Sequence, residues 1–395
     1  MNDWVLTPEQ LNTLLGVLLG LQAWLREALQ ALGWSGTVAG QPEWPLAWRL
    51  SAEVLVFEPG QARRLLWCAL ALGLALLGLA LALWWRRARW PALWLSGLVL
   101  WAAPWGSASV WLVPATPTSF HRSPTGFTAQ SIVQGQGHYQ QHCVRCHGAD
   151  GRGEGPDAPS LPMWPPNLNG RLLWQRLEGE LFWHVQHGLQ DHRGQRTMPG
   201  FASQLNDEQT WQVLDFLQAQ ASGRTLAQTG RWEQPLRLPD APVRCARGQA
   251  RWLHELQPQR VLLAPSGRDA GATPVDPRLV TVALPLTASA SSSTADCVAD
   301  TAGLAEALGL VLGVAPSQLG GYQLLADRQG WLRARSAPGA AGWSAADLVC
   351  RADTAAPAAP AAPGAQAPPA VDGLAALIAQ MDAEPVQLLR GGFPH

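Results

Sequence analysis

From Leu65 to Trp85 the chain reads LLWCALALGLALLGLALALWW, 21 residues without a charge. As a helix that stretch is about 31 Å long, against a bilayer hydrocarbon core of about 30 Å, so it is expected to span a membrane. The basic link Arg86-Arg87-Ala88-Arg89 follows, and then a second uncharged run from Trp90 to Val113. That run reads as a second span, kinked at Pro104, with Gly97, Gly106, Ser107 and Ser109 suited to close helix packing. Three arginines in the link place it in the cytoplasm and everything after Val113 outside, although Arg63 and Arg64 at the opposite end oppose that bias.

Residues 1–62 leave two readings open. Leu11 to Leu25 is apolar but short, and Arg26-Glu27 interrupts its extension to Leu32. One reading is a third span that starts inside and needs no cleaved signal, since Asp3 and Glu9 stand where a signal peptide would be basic. The other is an amphipathic helix on the outer surface. Residues 34–62 are expected to be an outer loop carrying Trp44, Trp48 and Arg49.

Composition narrows the rest of the chain. With 395 residues it is long enough for two or three domains. The 28 basic residues are all arginine and the net charge is -1, so no dense positive field exists for nucleic-acid binding. Without lysine, Schiff-base chemistry and a phosphate-loop lysine are excluded. Thirteen of the 21 Trp lie before Pro114, and the chain is therefore built of unlike parts.

After the spans (63–114), residues 115–127 have the proline and polar content of a connector. Then comes Cys143-Val144-Arg145-Cys146-His147. Two thiols one helical turn apart can add to the two vinyl groups of a haem, while the adjacent imidazole reaches the iron. The other readings are half of a zinc site or a redox C-x-x-C pair, and no second C-x-x-C follows to complete a zinc cage. A low-spin haem needs a sixth ligand. Of the four Met, Met1 starts the chain and Met381 is in the tail, leaving Met163, read as a packing residue, and Met198. Met198 is stiffened by Pro199 and is the expected ligand; His184, His187 and His192 are the alternatives. The cofactor-binding residues are thus Cys143, Cys146, His147 and Met198, with His147 and Met198 on the metal. His138 with His142, and His184 with His187 and His192, have chelating spacings, but solvated or hydrogen-bonded histidines are the simpler reading.

Ala129 to His142 reads as a helix with Gly135 and Tyr139 on one side, and Asn206 with Gln209 as the N-cap box of a second helix bearing Trp211, Leu214, Phe216 and Leu217. The two should cross at Gly135. The glycines and prolines between Gly151 and Pro166 describe a loop wrapping a haem. Residues 128–223, with CVRCHGADGRGEGP, GELFWHVQHG and TMPGF, resemble a class I cytochrome c domain. The resemblance implies one covalent haem c and single-electron transfer. The segment from about 60 to 220, with its PTSFHRSPTGFTAQSI junction, is also similar to bacterial membrane proteins in which such a cytochrome follows a copper-resistance D-like region. Here that region is shorter than the family's multi-span domain.

Residues 224–239 look like a polar linker. Arg260–Ala264 and Leu279–Leu286 read as buried strands, Gly303–Leu312 as a helix, and Tyr322–Ala326 with Trp331–Arg335 as a hairpin; a last helix is expected to include Ser344–Val349. Residues 240–352 thus resemble a thioredoxin-like domain, with no C-x-x-C between the first strand and its helix. Of its three cysteines, Cys297 and Cys350 are expected to pair, leaving Cys245 free, and a redox-active pair is the sharper alternative. In the tail, 353–395, Ala355–Pro369 is an extended linker, and Asp372–Met381 either a short helix that docks on a partner or a frayed end.

The fold class expected is multi-domain: transmembrane helices, an all-α class I cytochrome c domain and an α/β degenerate thioredoxin-like domain. The expected function is that of an electron-transfer cytochrome anchored in a bacterial inner membrane, with its haem and C-terminal domains in the periplasm. Its partners would be the lipid bilayer and a membrane redox complex or periplasmic electron donor or acceptor, with no nucleic acid. Six Arg against nine Asp plus Glu in 128–223 favour a basic docking face on the partner. A copper-handling or thiol-redox assembly protein is the alternative, and a respiratory-complex subunit making contacts through its C-terminal domain is the third reading.

Overall fold

The computed structural model describes residues 8–51, 59–85, 87, 89–106, 112–170, 173, 176–246, 248, 251–266, 276–286, 295–340, 342–350, 373–386, 388–389 and 393–394. The chain divides into two compact units, 1–120 with 389–393, and 121–388 with 394–395.

In the first unit, α1 (Pro8–Ala31) runs unbroken through Arg26 and Glu27. It is followed by the ribbon β1 (Thr37–Val38) and β2 (Gln41–Pro42), then β3 (Trp48–Leu50), α2 (Pro59–Trp84), α3 (Arg89–Ala102) and β4 (Leu112–Pro114). The polar side of α1 faces the protein: buried Gln22 accepts the Leu50 N–H at 2.8 Å, and Arg26 donates to the Phe120 carbonyl at 2.9 Å. Val17, Leu21 and Trp24 point outward. Trp44 is buried edge-on against Phe120.

Helices α2 and α3 pack along small side chains. Cys68, Ala71, Ala75 and Ala82 are buried on α2 and Ala92 on α3, while the leucines and tryptophans around them are exposed. A Cβ on Gly78 would lie 2.2 Å from the Ser96 hydroxyl, so glycine sets the crossing distance. Among the described residues, Arg64–Trp84 is the helix long and apolar enough to cross a membrane. The second expected span differs from its sequence reading: α3 has 14 residues, about 21 Å, and stops two residues before Pro104. Proline lacks the N–H for the helix ladder and disfavours helical backbone in the residue before it, so it ends the helix rather than kinking it. The run finishes as β4, antiparallel to β3 with Arg49 opposite Val113.

The second unit opens with helices α4 (Ala129–His142), α5 (Val144–His147) and α6 (Glu178–His187), the ribbon β5 (Leu189–Gln190) and β6 (Arg196–Met198), and α7 (Asp207–Thr229). Thr128 caps α4, and a reciprocal box caps α7, with Asn206 and Gln209 each bonding the other's backbone N–H at 2.9 Å. Helices α4 and α7 cross where a Cβ on Gly135 would meet the Gln212 carbonyl oxygen at 1.8 Å.

Next come β7 (Val243–Cys245), β8 (Arg260–Ser266), β9 (Leu279–Pro285), β10 (Cys297–Ala299), α8 (Leu304–Leu312), β11 (Gln323–Ala326), β12 (Leu332–Ser336) and α9 (Gly373–Ala383). The strands form one sheet ordered β12-β11-β8-β9-β10-β7, with β8, β9 and β10 parallel and the outer pairings antiparallel. Alternation along β8 sends Val261 and Leu263 to one face and Leu262 to the other.

The first face shares its core with the helical module: Ile132, Ala219 and Leu226 pack with Leu263, Val282, Val311 and Leu332. Gly223 on α7 and Gly313 after α8 allow backbone contact, since a Cβ on Gly223 would lie 1.9 Å from the Leu310 carbonyl oxygen. The segment expected to be a polar linker, 224–239, instead continues α7 to Thr229 and buries Leu226, Trp232 and Leu236; the Trp232 indole donates to the Val311 carbonyl at 3.2 Å. Its apolar residues are spaced too widely for a sequence run, yet each fills this shared core.

The second face is covered by α9, whose Leu374, Leu377, Ile378 and Met381 pack on Leu262, Leu325, Trp343 and Leu348. The tail helix therefore docks on its own sheet, and Ala345–Asp347, expected within the last helix, is a single 3-10 turn. The expected linker Ala355–Pro369 lies outside the described residues. The disulfide joins Cys245 to Cys297, not Cys297 to Cys350, because β7 and β10 are antiparallel neighbours with these two cysteines in register. Closing a loop of 52 residues, it contributes about 4 kcal/mol by the chain-entropy argument. Cys350 is free and buried.

Candidate functional site

Cys143, Cys146 and His147 occupy one turn. Cys143 is both the C-cap of α4 and the N-cap of α5, and its carbonyl accepts the His147 N–H at 2.9 Å. Gly148 ends α5 with a φ of 77°, turning the chain into a loop stitched back to that turn. The Gly153, Gly155 and Asp157 N–H groups donate to the carbonyls of His147, Cys146 and Arg145, at 2.9, 3.1 and 2.9 Å. A Cβ on Gly153 would meet the Pro165 carbonyl oxygen at 2.1 Å, and one on Gly155 the Arg145 carbonyl oxygen at 2.3 Å. Glycine is required at both. Tyr139, buried under the turn, donates its hydroxyl to the Gly148 carbonyl at 2.8 Å, and Gln220 on α7 donates to the Ala149 carbonyl at 3.0 Å.

The donor set suits a covalent porphyrin. Neither thiol is in a disulfide. Burial pushes the Cys143 thiol up to about 12 and raises Cys146 as well, the reverse of the depressed values that activate redox C-x-x-C pairs. Burial also holds the His147 imidazole below its ordinary value, against an opposing pull from the Pro166 backbone, which favours the neutral ring needed for ligation. Its Nδ1 is buried with no partner in hydrogen-bond geometry. Among the described residues no three His, Cys, Asp or Glu side chains gather to hold a metal ion.

Met198 ends β6, paired with Leu189, and is half-buried. Three residues on, Phe201 packs into the cluster that includes Cys143, Leu168, Leu214 and Leu217, and touches the His142 ring edge-on at 6.2 Å. The Met198 loop and the cysteine turn thus border one apolar cluster. Met163 is exposed. Of the alternative ligands, His187 is exposed and stacked on Trp183 with centroids 3.6 Å apart, His192 is exposed, and His184 is half-buried, its ring lowered to about 4 by burial and by Arg176. Leu168 and Phe201 had no signal of their own in the sequence, because their place follows from how their loops pack against α7.

Residues 130–217 match the family described as cytochrome c oxidase, cbb3-type, subunit III. This stretch is a c-type cytochrome domain. It binds haem c covalently, and such a domain implies electron transfer. No curated protein matches the chain. Among solved structures, the chain is similar to one titled Kuenenia stuttgartiensis reducing HAO-like protein complex Kustc0457/Kustc0458, at 21% identity and a TM-score of 0.21. The match covers 31% of this chain and 57% of that one, a little over half its length.

A buried carboxylate fixes the lead-in to the cytochrome domain. Asp215 on α7 accepts hydrogen bonds from the Thr125 and Ser131 hydroxyls. Burial pushes it up to about 7, with Glu178 adding to the rise and the two hydroxyls opposing it. A carboxyl with a raised folded pKa holds its proton in the folded state after the unfolded chain has lost it. Stability is therefore expected to fall, by about 4 kcal/mol, as pH rises from about 4 to about 7, and to level off above. Chemical denaturation across this range should show the slope, and Asp215→Asn should flatten it.

Proposed function

We propose that the chain is a membrane-anchored, periplasm-facing c-type cytochrome passing single electrons between a membrane redox complex and an acceptor. The observation that carries this reading is the α5 turn, which presents two unpaired thiols and a half-buried imidazole within one turn of a cytochrome domain. Cys143 and Cys146 would hold the porphyrin through thioethers, and His147 and Met198 would bind the iron. When bound, the haem supplies a one-electron couple. The chain's own part is to fix both ligands, and to exclude water with Leu168, Phe201, Leu214 and Leu217.

Helix α2 supports the anchor, with its outward leucines and tryptophans; α3 and the outward face of α1 would add to the apolar surface. The Cys245–Cys297 disulfide supports an oxidising compartment for the second unit, as does covalent haem itself. The sheet region, with parallel β8 and β9, α8, the β11–β12 hairpin and a closing helix, reads as a thioredoxin-like module without its C-x-x-C, used for contacts within a respiratory complex. Copper handling has less support, since among the described residues no three His, Cys, Asp or Glu side chains gather to hold a metal ion.

Membranes carrying the protein should show a covalent haem band at the mass of the chain, kept in the pellet after alkaline extraction and titrating as one electron. A band released to the supernatant would overturn the anchor. A spectrum without a c-type signal would overturn the whole reading.

A further inference from the structure

The backbone around Met198 is clamped more closely than the ribbon of β5 and β6 requires. Gly188 ends α6 with a φ of 81°, and a Cβ there would lie 2.4 Å from the Met198 carbonyl oxygen and 2.8 Å from the Gly200 nitrogen. Reciprocally, a Cβ on Gly200 would lie 2.7 Å from the carbonyl oxygen of Gln186 and 2.7 Å from the carbonyl carbon of His187. All four are backbone contacts, so no side-chain rotation relieves them. Immediately downstream, Phe201 donates to the Val185 carbonyl at 2.9 Å and Ala202 to the Gln186 carbonyl at 3.1 Å. The buried Gln186 amide ties the far end of the segment, donating to Thr210 Oγ1 at 2.5 Å and to the Leu205 carbonyl at 3.2 Å. Residues 198–206 are thereby fastened to the last turn of α6 at both ends.

We propose that Gln186, Gly188 and Gly200 are positioning residues for the sixth ligand: the last turn of α6 holds the Met198 backbone where its thioether reaches the iron. This rests on the reading of Met198 as that ligand. A methyl group at either glycine pushes the loop off α6 by several tenths of an ångström or more, and a ligand bond tolerates little such displacement. Covalent attachment at Cys143 and Cys146 involves neither glycine, so haem content stays constant while the sixth position opens.

The full-length protein in detergent is reduced and exposed to carbon monoxide, which binds iron only where the sixth position is free. Wild type is expected to exclude it and Met198→Ala to bind it fully. Gly188→Ala and Gly200→Ala are expected to raise the carbon monoxide-bound fraction at least tenfold with unchanged covalent haem. If Met198→Ala excludes carbon monoxide, the ligand reading falls and the proposal with it. If Met198→Ala binds it and both glycine variants exclude it, the positioning role alone is overturned. Cys245→Ser lowers stability away from the loop, and equal opening there would also overturn the role by showing that lost stability suffices. Should the glycine variants not fold, Gln186→Ala, which cuts only the side-chain tether, is expected to raise the fraction about threefold, and no change would count against the proposal.

Discussion

Cys143→Ala combined with Cys146→Ala is expected to remove the haem band from a denaturing gel completely, leaving the full-length chain without covalent porphyrin. On the proposed reading the two thiols provide both thioether bonds, and no other cysteine would substitute. Cys245 is tied to Cys297, while Cys350 is buried behind Arg333 and Cys68 lies on the α2–α3 contact. The loss should not stop at the cofactor. Cys143, Leu168, Phe201 and Leu214 pack around Tyr139, Val213 and Phe216, and without the porphyrin that half-buried wall faces water. Each large side chain left exposed forgoes about 1.5–3 kcal/mol. The cytochrome domain of the double variant should therefore be protease-sensitive at the Gly148–Pro166 loop, whereas the sheet, with its own second face, persists. A haem-staining band that survives in the double variant would show that the attachment site lies elsewhere.

Arg333→Ala is expected to cost about 3–5 kcal/mol and to free α9 from the sheet. Arg333 is 1% exposed, and its guanidinium donates to the carbonyls of Cys350, Met381 and Glu384 at 3.3, 3.4 and 2.7 Å, with Asp327 Oδ2 3.5 Å away. Two of those carbonyls belong to the end of α9, where helix carbonyls lack intrahelical partners and a cation is favoured. Alanine would strand three buried acceptors and leave the Asp327 carboxylate, already raised by burial, without its counter-charge. Arg333→Lys should recover little, because a single ammonium on a flexible stem cannot span three carbonyls. Arg260, paired with Asp382 at 2.6 Å, gives α9 a second tether, so the helix should loosen rather than melt. Proteolysis in the 351–372 segment, followed by asking whether the C-terminal fragment stays bound, reads the difference directly.

What was legible in the sequence follows from the physics at each place. The Cys143–His147 spacing is dictated by covalent chemistry, whereas Met198, chosen by scarcity, stands as a proposal. Gly135 stood out because a helix-breaking residue inside a helix needs a packing reason. The strands of the sheet showed as apolar runs, yet β7 and β10 are three residues each, too short to register, and so the pairing of Cys245 with Cys297 was hidden. The uncharged run after Trp90 reads as one kinked span because neither hydropathy nor Pro104 itself distinguishes a proline that kinks a helix from one that ends it. The docking of α9 and the burial of Trp232 depend on surfaces built by residues far away in the chain. Gly188 and Gly200 look like ordinary turn residues until their backbone neighbours are known.

The common core of the cytochrome domain and the sheet also sets an order of events in time. Ile132 and Leu332 belong to one cluster, so the core that buries the first cannot close until the second has been synthesised and delivered to the same side. Contacts so distant in sequence form late and slowly. The turn bearing Cys143 and Cys146 is not tied to that delay, because the buried residues of its own cluster all lie between 139 and 217, so it can close around an attached porphyrin before Leu332 arrives.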